Sequence, residues 1–254
     1  MLTKLNISPK YRKQRGGFGI QILYPGLTRP QRKDSGMYTL GRIDHARVLP
    51  GTLIPMHPHR DDEILTYLRS GSVEHRDSEG HTSVVSNRHL MLMNAGASFY
   101  HEEKVREQTG VLEGLQIFIR PESGGLPPRV QFHTLEDVFS QDRWRKLAGP
   151  GGEYPLRLRS DTEIMDIRLN AAGQIRSPNP SSDGTVFLLY VFEGAVTVGD
   201  GLQLATGEGA LLENEAVLIT ASKTSDLVLF VTRSDAGYFG AGMYSGNIRS
   251  EATG

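Results

Sequence analysis

Leu65-Thr-Tyr-Leu-Arg-Ser-Gly-Ser-Val73 returns 123 residues later as Leu188-Leu-Tyr-Val-Phe-Glu-Gly-Ala-Val196, with Tyr, Gly and Val at matching places. Downstream, Asn87-Arg-His-Leu-Met-Leu92 lines up with Gly207-Glu-Gly-Ala-Leu-Leu212 at an offset of 120, the change a slightly shorter hairpin in the second copy produces. Around these segments the apolar runs stay short, as in Leu115-Gln-Ile-Phe-Ile119 and Leu227-Val-Leu-Phe-Val-Thr232, and 29 glycines and 13 prolines punctuate them. Short β-prone runs closed by turn residues describe a sandwich or barrel rather than strand-helix-strand units. We therefore expect an all-β chain built from a duplicated antiparallel β-barrel, with halves at 1–133 and 153–254. One helix is expected over Thr134–Leu147, where Thr134 can cap the start and Val138, Phe139, Trp144 and Leu147 supply an apolar side. With Gly149-Pro-Gly-Gly152 behind it, 134–152 reads as a connector.

The chain has 254 residues, 28 Lys and Arg against 29 Asp and Glu, and no cysteine. A net charge of -1 argues against nucleic acid as a partner, and the basic stretch Lys10-Tyr-Arg-Lys-Gln-Arg15 reads as a solvated arm. No window approaches the roughly 18 apolar residues that cross a bilayer, so no membrane role is expected. The first twenty residues lack the apolar core of a signal peptide, which makes a cytoplasmic protein the expectation. Without cysteine, metal chemistry has to rest on His and carboxylate.

All eight histidines, at 45, 57, 59, 75, 81, 89, 101 and 133, fall in the first half. The stretch Gly51-Thr-Leu-Ile-Pro-Met-His57-Pro-His59-Arg-Asp-Asp-Glu63 holds two of them two residues apart. On a strand that spacing puts both imidazoles on one face. His101 and Glu103, in Phe99-Tyr-His101-Glu-Glu103, repeat the spacing. Facing strands carrying these pairs make a site of three His and one carboxylate with open coordination positions, suited to a redox-active divalent metal. Alternation favours Glu103 over Glu102. Glu63 is the rival carboxylate, either as a ligand or as an acceptor behind an imidazole N–H. His75 reads as an ordinary packed or surface strand residue, and Arg60-Asp61-Asp62 as a solvated turn. Carrying the repeat offsets onto the ligands gives Pro180, Ser182, Ala221 and Lys223 in the second copy, none a ligand.

His57-Pro-His-Arg-Asp-Asp-Glu-Ile-Leu-Thr-Tyr67, Val73-Glu-His-Arg-Asp-Ser-Glu-Gly80, Asn94-Ala-Gly96, His101-Glu-Glu103 and Gly114-Leu-Gln-Ile-Phe118 resemble the pirin family of the cupin superfamily. The resemblance implies a bicupin of two stacked jelly-roll barrels with one metal in the N-terminal barrel. Its ligands on this chain are His57, His59, His101 and Glu103. It implies Fe(II) first, with Mn, Co, Ni, Cu or Zn as substitutes. It also implies quercetin 2,3-dioxygenase chemistry, an O2-dependent opening of a flavonol ring, with Glu103 as the base. Apolar walls for a flat aromatic substrate are sought at Met56, Met91, Met93, Phe99 and Phe118. The alternative within the family is a metal-loaded redox or regulatory protein that acts through a protein partner, using the same ligands.

Overall fold

The structure is a computed structural model that describes residues 1–29 and 33–248; the end of the Gly-rich tail, 249–254, lies outside the described residues. Strand-forming runs dominate it, and its helical pieces among the described residues are three single 3-10 turns at Pro9–Tyr11, Pro25–Thr28 and Glu107–Thr109. No helix among these residues is long and apolar enough to cross a membrane.

The strands of the first half are β1 (Leu2–Lys4), β2 (Arg12–Arg15), β3 (Phe18–Leu23), β4 (Leu40–Val48), β5 (Leu53–His59), β6 (Glu63–Ser70), β7 (Ser72–Asp77), β8 (Thr82–Ser86), β9 (His89–Asn94), β10 (Phe99–Val105), β11 (Leu112–Ile119) and β12 (Arg129–Thr134). Those of the second half are β13 (Arg145–Gly149), β14 (Leu156–Arg157), β15 (Glu163–Leu169), β16 (Gln174–Arg176), β17 (Thr185–Val198), β18 (Leu202–Ala205), β19 (Gly209–Glu213) and β20 (Leu218–Arg233).

Two compact units result. The first comprises Ser8–Val138, Leu158–Ser160 and the chain from Tyr238 onward; the second comprises Met1–Ile7, Phe139–Arg157 and Asp161–Gly237. The divisions expected at 133 and 152 are thus replaced by one near 138. Each terminus belongs to the unit built by the other half, because β1 pairs with β19 and the tail packs on the first unit's turns.

In the first unit a seven-stranded sheet, β12-β9-β6-β11-β4-β3-β2, faces a four-stranded sheet, β5-β10-β7-β8. Ile64, Met91 and Phe118 from the larger sheet meet Val73, Val85 and Phe99 from the smaller in one buried cluster. Each such side chain, taken fully out of water, contributes roughly 1.5–3 kcal/mol. The sheets stay open, giving a jelly-roll sandwich. In the second unit β19-β17-β20-β15 repeats the order β9-β6-β11-β4, and the pairings β16-β20 and β17-β18 repeat β5-β10 and β7-β8. The chain is therefore an all-β bicupin.

The copies differ in continuity. Gly71, at φ +70°, breaks β6 from β7, and a Cβ there would lie 2.6 Å from Leu112 Cα. The second copy keeps β17 running through Gly194 and absorbs the irregularity in register shifts against β20. Register also corrects the offset reading of the second site. Val196 and Val198 meet Ala221 and Ile219 as Val73 and His75 meet Val105 and Glu103, so the counterparts of Glu103 and His101 are Ile219 and Val217, both in the apolar core.

The helix expected at Thr134–Leu147 is absent. Thr134 ends β12 opposite His89, and Leu147 lies buried within β13. Between them Trp144 Nε1 donates to the Arg176 carbonyl at 2.9 Å, and Phe139 lies under the Arg168 guanidinium at 3.2 Å. Strand pairing and side-chain docking outweigh a weak helical propensity in a segment with one capping signal.

Candidate metal centre

β5 is an edge strand of the small sheet, which is why it tolerates Pro55 and Pro58, whose missing N–H groups leave its outer side unbonded in any case. Its partner β10 sets His101 opposite His57 and Phe99 opposite His59. The three imidazoles converge, with ring centroids 4.4 Å (His57 to His101), 4.8 Å (His59 to His101) and 4.9 Å (His57 to His59) apart. A ring nitrogen of each lies within 4.8 Å of the others'. His59 and His101 are buried and His57 is half-buried, so access to the cluster runs past His57. His57 Nδ1 donates to the Pro55 carbonyl at 2.9 Å, which leaves its Nε2 as a lone pair. His59 Nε2 and His101 Nε2 face each other at 2.9 Å. Burial pulls His57 below the ordinary imidazole value, and burial plus the neighbouring rings of His59, His57 and His75 pulls His101 down strongly. Both rings stay neutral, the form that binds a cation.

Glu103 points inward from β10, while Glu102 points outward, 3.7 Å from Arg76. Gln116 Nε2 donates to Glu103 Oε2 at 3.2 Å, and Oε1 is buried without a partner, 4.0 Å from His101 Nδ1. The carboxylate therefore sits on the Nδ1 side of His101, grouped with His101 and His75 rather than with His57 and His59. Burial raises it to about 7, against the Gln116 hydrogen bond. Beside it opens a cavity of about 30 Å³ lined by Phe18, Ile54, Thr66, Val105 and Gln116. That is room for about two waters.

Glu63 is elsewhere. Its carboxylate accepts the Arg159 backbone N–H at 2.9 and 3.0 Å and the Asn94 side-chain amide, so it neither ligates the cluster nor receives an imidazole N–H. Strand alternation explains this, since β6 presents Glu63 across from Asn94 of β9, in the other sheet. Burial lifts it to about 7, opposed by those hydrogen bonds. Of the five expected wall residues, Met56 faces out, 47 % exposed, because it alternates with His57. Met91 and Met93 are wholly buried core. Phe99 lies 6.0 Å from the His101 ring and Phe118 6.3 Å from that of His59, so these two border the cluster.

Four neighbours of the cluster were not legible as such. His75 Nε2 lies 2.8 Å from Asp77 Oδ2 and His75 Nδ1 lies 3.4 Å from His101 Nδ1, with both rings fully buried. Burial lowers His75, against its hydrogen bond to Asp77. Burial raises Asp77, but hydrogen bonds from His75 and His81 outweigh it and hold the carboxyl low. The period-two pattern Val73-Glu-His75-Arg-Asp77 was the available signal, matching that of His101 and Glu103 on the facing strand. Asp62, expected on a solvated turn, is buried and accepts the backbone N–H groups of Tyr244 and Ser245 at 2.8–3.1 Å. It lies 3.9 Å from His59 Nδ1. The Tyr244 ring stands 5.1 Å from that of His59. Nothing local in a Gly-rich tail announces that contact.

The donors fit a divalent cation. Three imidazoles point at one place, and two buried polar atoms, His59 Nδ1 and Glu103 Oε1, have no hydrogen-bond partner. Buried polar atoms are rarely left so, and nitrogen with oxygen donors suits first-row divalent metals.

A duplicated jelly roll with a histidine cluster in one copy defines a bicupin of the metal-binding kind. The family model described as Pirin matches residues 32–119. Quercetin 2,3-dioxygenase of Escherichia coli is 31% identical over 175 residues, 68% of this chain and 74% of that protein. A pirin-like protein of Caulobacter vibrioides is 31% identical over 196 residues, 72% of this chain and 78% of that one. The bacterial pirin YhhW from Escherichia coli, solved in complex with nickel(II), superposes with a TM-score of 0.78 at 24% identity over 92% of this chain and 99% of its own. The chain belongs to the pirin family.

Proposed function

We propose that the protein is a metal-dependent dioxygenase that opens the ring of a flavonol such as quercetin with O2. His57, His59 and His101 hold one divalent ion, most readily Fe(II), and Glu103 is the carboxylate at hand. The observation that carries this reading is the convergence of three imidazoles near a buried carboxylate with one free oxygen. Relatives named quercetin 2,3-dioxygenase support the substrate class. The bound metal supplies Lewis acidity and redox capacity.

The chain's own groups do the rest. Glu103 Oε1 takes the flavonol hydroxyl proton, and a carboxyl raised to about 7 is matched to that task near neutral pH. Gln116 fixes the other oxygen and so the orientation of the carboxylate. Phe99 and Phe118 exclude water from the imidazoles. The substrate enters past His57.

A second reading, a metal-loaded redox or regulatory protein with a protein partner, is favoured by the exposed side chains of Leu53, Met56 and Tyr100 on β5 and β10. Aerobic incubation of metal-reconstituted protein with quercetin separates the two, read as O2 uptake and loss of the long-wavelength absorbance. Turnover that disappears in His59→Ala supports the enzyme. No turnover with Fe, Mn, Co, Ni or Cu overturns it in favour of the second reading.

A further inference from the structure

Behind His101, on the side away from His57 and His59, a chain of hydrogen-bonding groups runs from β10 into β7. The register places His101 opposite Asp77 and Glu103 opposite His75, so all four side chains share the inner face of the small sheet. Asp77 Oδ2 lies 2.8 Å from His75 Nε2, and its Oδ1 accepts the backbone N–H groups of Glu79 and His81, both at 3.0 Å. A carboxylate only accepts, so His75 carries its hydrogen on Nε2 and presents a bare Nδ1. That nitrogen lies 3.4 Å from His101 Nδ1. Two bare nitrogens at this range repel, and one hydrogen between them makes a long hydrogen bond. His75 has none to give there, so the hydrogen belongs to His101 Nδ1. His101 Nε2 is then a lone pair, and it is the atom that faces His59 at 2.9 Å.

We propose that Asp77 and His75 are positioning residues that lock His101 in its Nδ1–H tautomer and so keep the Nε2 lone pair aimed at the cation held with His57 and His59. The assignment rests on the reading of that cluster as the metal centre. It gives buried His75 a task that its alternation with Glu74 and Arg76 alone does not explain. The chain is sealed, with His75 and His101 at 0 % exposure and Asp77 at 6 %, so no water competes for the hydrogen between the rings. The rival use of the same groups puts a cation on His75 Nδ1, His101 Nδ1 and Glu103. It requires the hydrogen between the two rings to leave and turns the second nitrogen of His101 away from the ion.

Long-range 1H–15N spectra of the metal-free full-length protein, labelled at histidine and assigned by single His substitutions, read the tautomers directly. In the wild type His101 is expected with a protonated Nδ1 and a bare Nε2, and His75 with the opposite pattern. Asp77→Asn keeps Oδ1 for the turn and places an N–H donor against His75 Nε2, which reverses the chain. His101 is then expected to move its hydrogen to Nε2 and the affinity for Co(II), measured by chelator competition, to fall about 10–100-fold. His75→Gln offers a carbonyl oxygen to His101 Nδ1 and is expected to retain the tautomer and most of the affinity. His75→Leu, which keeps the apolar volume, loses both. The proposal is overturned if wild-type His101 carries its hydrogen on Nε2, if Asp77→Asn changes neither tautomer nor affinity, or if Co(II) shifts His75 Nδ1 as a ligand does. The metal reading is judged separately, by Co(II) stoichiometry in His59→Ala, which leaves the Asp77-His75-His101 chain intact.

Discussion

The ring of Tyr244 stands 5.1 Å from that of His59, brought there from the far end of the chain. The segment carrying it is tied down at several points. Asp62 accepts from Tyr244 N and Ser245 N, Met243 N donates to Arg60 O at 2.9 Å, and buried Arg120 Nε donates to Ser245 O at 2.8 Å. Gly41 and Gly242 leave the space, since a Cβ at either would lie within 2.6 Å of Ser245 atoms. Asp62→Ala strips two N–H groups of a charged acceptor, and the expected loss is about 2–4 kcal/mol in denaturant unfolding. Hydrogen exchange at 243–246 should rise with it. Unchanged exchange there would show that the aspartate does not hold the segment.

Arg120 is wholly buried and forks onto both Asp34 oxygens, at 2.6 and 2.7 Å, while its Nη1 also reaches the Tyr38 carbonyl. Arg120→Met is expected to destabilise the first unit by about 3–5 kcal/mol, because it takes the bidentate cation from Asp34, which keeps the Gly36 N–H and the Tyr238 hydroxyl, and a donor from the Tyr38 and Ser245 carbonyls. Arg120→Lys, a point charge in place of a fork, should recover only part of that. Equal stability of Met and wild type would refute the argument.

Cation affinity should follow the Glu103 carboxyl. Raised by burial to about 7, it carries a proton below that pH, and a cation held on the far side of the His101 ring favours loss of that proton through its charge. The affinity is therefore expected to rise by less than about tenfold per pH unit between 5 and 7 and to level off above. Chelator competition across pH 5–8 measures this, and Glu103→Gln should flatten the profile. A slope that survives in that variant assigns the proton to another group.

Glu63 makes an opposite, metal-independent signature in stability. Its folded value of about 7 lies above the ordinary 4.5, so the folded state holds the proton more tightly. The contribution is complete below pH 4.5 and is lost as pH rises through 7, a change of about 3 kcal/mol for one such group. Metal-free protein compared with Glu63→Gln by urea unfolding at several pH values isolates it. The variant should lack that part of the decline between pH 5 and 8, and an identical decline in both proteins would exclude Glu63 as its source.

The convergence of His57, His59 and His101 was legible because a strand has period two: residues spaced by two share a face whatever the rest of the chain does. The repeat around Tyr67 and Tyr190 was legible for the same local reason, each copy being a strand ended by glycine. Glu63 misled because adjacency in sequence to His59 does not carry across the turn at Asp61, where the chain leaves one sheet for the other. Met56 misled because its type suits a pocket while its parity with His57 places it outside. The helix at Thr134–Leu147 failed where a local preference met pairing partners distant in sequence.

What the sequence determined by itself is whatever depends on local periodicity and composition: short strands, a duplicated pattern, imidazoles sharing one strand face in one copy, and a site of nitrogen and oxygen donors in a chain with no cysteine. Only the tertiary structure decided which groups surround that face. His75 meets His101 through the register of β7 against β10, Glu63 turns to Arg159, and Tyr244 reaches His59. These contacts join residues remote in sequence, and their partners are chosen by burial and hydrogen-bond satisfaction across sheets, which no local pattern encodes.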